Sequence, residues 1–143
     1  MKLVLDASVA VKWIVPDAAA EADTDRAAQI LDAIREGRVE PVQPPHWLAE
    51  VAAVISRLRP EVANRAIDLL EGLELAVEAD AEIYKRASHL ATRLDQHLFD
   101  TLYHAVALER GAVLVTADDR YFRKAGSVGA VVSLSDWTLQ HAG

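Results

Sequence analysis

Apolar residues recur along this chain in two rhythms. Short apolar runs at Lys2–Leu5, Val39–Val42, Leu75–Val77, Ala112–Thr116 and Ala130–Ser133 have the length of buried strands, and the first of them ends at an acid, Asp6. Between them the spacing changes to that of helices. Ala7–Ile14 reads as a short helix stopped by Pro16, and Thr24–Glu36 as a helix stopped by Gly37. In Pro45–Arg59, residues Trp47, Leu48, Val51, Val54, Ile55 and Leu58 fall on one face. Pro60 ends that helix and opens another that runs to about Leu70. Ala81–Leu94 and Phe99–Arg110 are two more, the second closed by Gly111. A last short helix spans Asp118–Lys124 before Gly126, and the tail from Asp136 is expected to be partly helical. Short apolar strands alternating with helices predict an α/β fold with a central parallel sheet covered on both faces. Ligands of such sheets bind outside the carboxyl ends of the strands. Asp6 and Asp118 each follow a strand, which places two acids where a site is expected.

Composition narrows the chemistry. The 143 residues, 52% of them hydrophobic and 26% charged, suit a single domain over 1–143 with its own core. There is no cysteine, so disulfides, thiolate zinc sites and cysteine nucleophiles are all excluded. The apolar run after Met1 is too short for a signal peptide, and no segment approaches the length of a membrane span, so the cytoplasm is the expected location. The net charge of -7 argues against a general polyanion binder. A nucleic-acid function must therefore work locally, with a bound cation supplying positive charge.

Four carboxylates, Asp6, Glu50, Asp100 and Asp118, stand among apolar or small residues rather than in charge runs. Each has an ordinary explanation. Asp6 or Ser8 can cap the following helix, and Asp118 or Asp119 can cap the last one. Glu50 flanks an apolar helix face, where a glutamate is usually solvated. Asp100 lies in a first helical turn, where an acid meets the positive end of the helix dipole. Together, two acids at strand ends and two on helices can converge on one rim. Such a cluster repels itself and raises its own pKa values unless a cation joins it. Hard cations such as Mg²⁺ and Mn²⁺ prefer oxygen ligands, and no histidine spacing suggests zinc. Phosphate contacts could come from Lys12, Arg57, Arg120 and Arg123, although most surface cations are merely solvated. Trp13, Trp47 and Trp137 could stack on bases, but Trp47 has core spacing; a lone histidine on a buried helix, His104, reads as structural.

These segments resemble a known family. Val4-Leu5-Asp6-Ala7-Ser8 resembles the opening of PIN domains, and Leu48-Ala49-Glu50-Val51 their helical glutamate segment. Asp100-Thr101-Leu102-Tyr103-His104-Ala105-Val106-Ala107 is similar to their third acidic motif, and Leu114-Val115-Thr116-Ala117-Asp118 with Phe122 to their fourth. Order, spacing and length match over essentially the whole chain, although residues 16–43 carry no matching motif. The size is most similar to VapC-type toxins of toxin–antitoxin pairs. The resemblance implies a three-layer α/β/α PIN-like fold and Mg²⁺- or Mn²⁺-dependent endoribonuclease activity. It also implies an RNA substrate, a cognate antitoxin that blocks the site, and a homodimer. By position Asp6, Glu50, Asp100 and Asp118 match the family's catalytic, metal-holding acids. Ser8 and Thr116 match supporting polar positions, expected to orient carboxylates or waters, and Asp119 falls where the family varies. Asp6 and Asp118 are expected to be direct ligands, Asp100 a ligand or a holder of metal water, and Glu50 either of these or a base.

Rival readings fit less well. A haloacid-dehalogenase-type phosphatase would want a second Asp where Ser8 stands, and a receiver domain would want a lysine after the Val131–Ser133 strand. Gly126-Ser127-Val128-Gly129 matches the GxxG of KH domains but lacks basic flanks and reads as a turn. The strongest alternative is a catalytically silent PIN-fold interaction module.

Overall fold

The computed structural model describes residues 1–16 and 21–138. Its strands are β1 (Lys2–Leu5), β2 (Glu40–Gln43), β3 (Ala76–Val77), β4 (Val113–Thr116) and β5 (Val131–Ser133). Its helices are α1 (Ala7–Ala10), α2 (Glu21–Arg35), α3 (Trp47–Leu58), α4 (Ala63–Glu71), α5 (Ala81–Leu94), α6 (Leu98–Arg110) and α7 (Asp119–Ala125). The strands form one sheet in the order β3-β2-β1-β4-β5, and every pairing is parallel.

Side-chain alternation along β1 divides the core. Leu3 and Leu5 face α2 residues Ala27, Ile30 and Ala33, together with Leu134 and Trp137. Val4 faces the opposite way, into the apolar faces of α3, α4, α5 and α6. Two layers of helices thus sandwich the sheet, the three-layer α/β/α arrangement. Helix α6 is buried at every position from Thr101 to Ala107, as a helix apolar all round must be. Thr101 satisfies its hydroxyl on the Ala87 carbonyl of α5, 2.8 Å away.

Several boundaries differ from the sequence pattern for local reasons. The predicted Ala7–Ile14 helix tightens after one turn into a 3₁₀ turn at Val11–Trp13, where Trp13 Nε1 donates to the Ala27 carbonyl at 2.8 Å. Pro60 likewise opens a 3₁₀ turn, Pro60–Val62, before α4 begins. Helix α2 starts three residues earlier than Thr24. The tail turns as 3₁₀ at Leu134–Asp136, ahead of the predicted place, and residues 139–143 lie outside the described residues.

The strand order creates a switch point. From β1 the chain moves outward to β2 and β3, then crosses back through α5 and α6 to place β4 on the other side of β1. Chains leaving β1 and β4 at their carboxyl ends therefore diverge, and a crevice opens between them.

Candidate active site at the carboxyl end of the sheet

Asp6 leaves β1 directly into the crevice. It caps α1, its Oδ2 accepting from the Ser8 amide at 3.0 Å, and its own amide donates to the Val115 carbonyl of β4 at 3.0 Å. Across the crevice Asp118 caps α7, its Oδ1 accepting from the Tyr121 amide at 3.0 Å. Asp119 follows in the first turn, exposed. Both predicted supporting hydroxyls fix backbone, and the Ser8 side chain also hydrogen-bonds the Asp6 carboxylate. Ser8 Oγ accepts from the Ala117 amide, and Thr116 Oγ1 from the Asp118 amide, each at 3.0 Å. Together they hold the β4–α7 segment against α1 and set the direction in which Asp118 leaves the sheet.

The helical acids come from below the crevice. Glu50 lies in the first turn of α3, where its Oε1 accepts from the Tyr103 hydroxyl at 2.6 Å and lies 3.2 Å from His46 Nε2. Asp100 lies in the first turn of α6, where its Oδ2 accepts from Gln96 Nε2 at 2.8 Å. Burial pushes the Asp6 carboxyl up to about 6, partly offset by the bonds with Ser8 and reinforced by the negative charges of Glu50 and Asp100. Burial also disfavours ionised Glu50, but the hydrogen bonds from His46 and Tyr103 outweigh it and hold the carboxyl below the ordinary range. The Tyr103 phenol is pushed up by burial, by its bond to Glu50 and by the charges of Glu50, Asp6 and Asp100. Tyr121 is pushed up by burial and by Asp100 and Asp6. Asp6, Glu50 and Asp100 thus share one field. Asp118 is exposed on the neighbouring wall, in a cleft of about 450 Å³ that it lines with Asp95, Gln96, His97, Arg120 and Lys124.

Among the described residues no three acidic or histidine side chains converge closely enough to grip a metal ion. Each of the four carboxylates is instead turned by one oxygen toward a donor of its own neighbourhood. The second oxygen of each takes no part in those bonds. An all-oxygen set of this kind, with one member destabilised as an anion by burial and like charge, fits a hard divalent cation and not a soft one.

Other expectations find their places. Arg120 lines the Asp118 cleft with Lys124, which the sequence reading passed over; Lys12 lines a different cleft, beside Ser8 and Val54, while Arg57 and Arg123 stand exposed. Base stacking on tryptophan is not supported: Trp47 and Trp137 are core residues, and Trp13 is tied to α2. His104 is fully buried, with Nε2 donating to the Gly129 carbonyl at 2.7 Å and Nδ1 accepting from the Tyr121 hydroxyl at 2.9 Å. Burial holds its pKa below the ordinary value. The glycine pair around Ser127 is a 3₁₀ turn ending at Gly129, whose φ of 89° suits glycine.

Four residues escaped the sequence reading. Gln43 is fully buried, and its side chain pairs with both backbone groups of Leu5, Oε1 accepting at 2.8 Å and Nε2 donating at 2.9 Å. It continues the β1 ladder to the residue before Asp6. His46, Gln96 and Tyr103 hold Glu50 and Asp100 as described. The available signal was spacing: His46 precedes Glu50 by four residues, Gln96 precedes Asp100 by four, and Tyr103 lies one turn after Asp100.

A parallel α/β sheet with an acid-lined crevice at its switch point defines a class of site, and comparison with known proteins supplies the family. The PIN domain family model matches residues 3–127, and the chain belongs to that family. Two solved structures share the fold. One is PAE2754 from Pyrobaculum aerophilum, with a TM-score of 0.63 and 17% identity over 94% of this chain and 90% of that one. The other is VapBC2 from Rickettsia felis, solved bound to a DNA fragment from its promoter, with a TM-score of 0.64 and 18% identity over 93% of this chain and 97% of that one. No curated protein matches the chain. No helix among the described residues is long and apolar enough to cross a membrane.

Proposed function

We propose that residues 1–143 act as a single PIN domain, a metal-dependent endoribonuclease working in the cytoplasm as the toxin of a VapC-type toxin–antitoxin pair. The observation that carries the reading is the shared field of Asp6, Glu50 and Asp100 at the switch-point crevice, with Asp118 in the neighbouring cleft. Family membership supports nuclease chemistry, and the likeness to VapBC2 supports a cognate antitoxin. The resemblance to VapC-type toxins further supports a homodimer.

Asp6, Glu50, Asp100 and Asp118 would hold Mg²⁺ or Mn²⁺ through the oxygens not engaged by protein donors. When bound, the cation supplies positive charge against a phosphodiester and acidifies water for attack. Ser8 and Thr116 keep the Asp118 segment in register with Asp6. Arg120 and Lys124 offer the cationic contacts that an acidic protein must provide locally, and RNA phosphates would lie along their cleft. Lys124 is already oriented there, donating to the Asp95 carbonyl at 3.0 Å and to Gln96 Oε1 at 3.2 Å.

The test is cleavage of total cellular RNA by the purified chain with Mg²⁺, with Mn²⁺ and with excess EDTA, beside Asp100→Asn. Discrete fragments that need the metal and vanish in the mutant establish the nuclease. Cleavage that survives both EDTA and the mutation rejects it. The silent-module reading is favoured by the separation of the four carboxylates among the described residues. Calorimetry with Mn²⁺ on wild type and Asp6→Asn separates the two, because a silent module binds no Mn²⁺.

A further inference from the structure

Glu50 is held by two donors from separate elements, and both engage the same oxygen. Tyr103 reaches Oε1 from α6, and His46 reaches it from the residue preceding α3. The imidazole is itself fixed. Its Nε2 lies 2.7 Å from the Phe99 carbonyl, and its ring centroid is 4.8 Å from that of Tyr103 and 5.4 Å from that of Phe99. Two acceptors at Nε2 require the proton on that nitrogen, which is shared between the Phe99 carbonyl at 2.7 Å and, as the longer arm, Glu50 Oε1 at 3.2 Å. Tyr103 is fully buried. Packing its ring needs no hydroxyl, yet the hydroxyl spends a short, charge-assisted bond on a residue 53 positions away.

We propose that His46 and Tyr103 are positioning residues: by engaging Oε1 from two sides they fix Glu50 in one orientation and leave Oε2 for a divalent cation. The inference rests on the reading of Glu50 as a cation-holding acid. A glutamate has three side-chain torsions, and a ligand that must order them binds more weakly than one that finds them ordered. The clamp also ties the first turn of α3 to α6 one turn beyond Asp100.

Mn²⁺ titration of the metal-stripped full chain by calorimetry tests this, with Tyr103→Phe, His46→Leu and His46→Gln. The phenylalanine and leucine variants are expected to bind Mn²⁺ about 10- to 100-fold more weakly, with metal-free melting close to wild type. The glutamine variant, whose amide N–H reaches about as far as Nε2, is expected to recover most of the loss. The double variant Tyr103→Phe, His46→Leu should lose less than the product of the two, since both act on one oxygen. Wild-type affinity in Tyr103→Phe and His46→Leu overturns the positioning role and leaves the nuclease reading standing. So does a loss that glutamine and leucine share, which would trace to ring packing. A wild type that takes up no Mn²⁺ removes the nuclease reading and the positioning role together. Should Tyr103→Phe fail to fold, the two His46 variants carry the test.

Discussion

Asp6 and Glu50 are both carboxylates in one crevice, yet their surroundings drive them apart. Asp6 is raised to about 6 and Glu50 is lowered. In metal-free protein the raised value has a definite sign. The folded state favours protonated Asp6, so its stabilisation is complete below the ordinary value of 3.8 and is lost as pH rises through about 6. His104, whose value is lowered by burial, acts in the opposite sense and loses stabilisation as pH falls. Comparison with Asp6→Asn isolates the aspartate, because asparagine still caps α1. In EDTA, urea denaturation should show wild type losing up to about 3 kcal/mol relative to Asp6→Asn between pH 4 and pH 7.5. Parallel pH profiles for the two proteins would show that Asp6 is not under strain. At neutral pH the variant should be the more stable protein without metal, and with Mn²⁺ the order should reverse if Asp6 holds the ion.

At the level of elements, the strands that matter most were legible, and what aligns them was not. β1 and β4 announce themselves as apolar runs followed by acids, α3 as an apolar helix flanked by Glu50, and α6 as an apolar helix with Asp100 in its first turn. Gln43 gave no such signal. A glutamine beside Pro44-Pro45 reads as loop, and its partner Leu5 lies 38 positions away. Only the folded sheet reveals that the amide completes the β1 edge just before Asp6. Tyr103 was hidden for the same reason, since the Glu50 it holds lies 53 positions away. Gln43→Leu should therefore leave a buried amide and carbonyl of Leu5 unpaired, costing roughly 2–4 kcal/mol in a urea melt. If the variant folds at low temperature, its Mn²⁺ affinity should also drop, because Asp6 has lost the brace beside it. A variant with unchanged stability would mean that water replaces the amide at no cost.

For the whole molecule the proposed function carries a tension, an acidic protein that must act on a polyanion. The net charge of -7 makes the long-range field repulsive, so attraction has to be local. Arg120 and Lys124 on the Asp118 wall are the candidates. Arg120→Ala with Lys124→Ala should raise KM for RNA severalfold with little change in kcat. The slope of log affinity against log salt should flatten by about 1 to 2. A fall in kcat with KM unchanged would instead place these side chains on the reacting phosphate.

The pairing of β1 with β4 has a consequence for how the protein is made. Asp6 and Asp118 come from opposite ends of the sequence, and they become neighbours only when Leu3, Val4 and Leu5 align with Val113, Leu114 and Val115. A ribosome delivers the first strand early and the fourth late. Until β4 has emerged, the growing polypeptide carries Asp6, Glu50 and Asp100 but no crevice to gather them. Pairing across so long a stretch of chain is also intrinsically slow. On the proposed reading, a nuclease built this way is born inert, and its chemistry is withheld from the RNA of the machine that synthesises it until the chain is nearly complete.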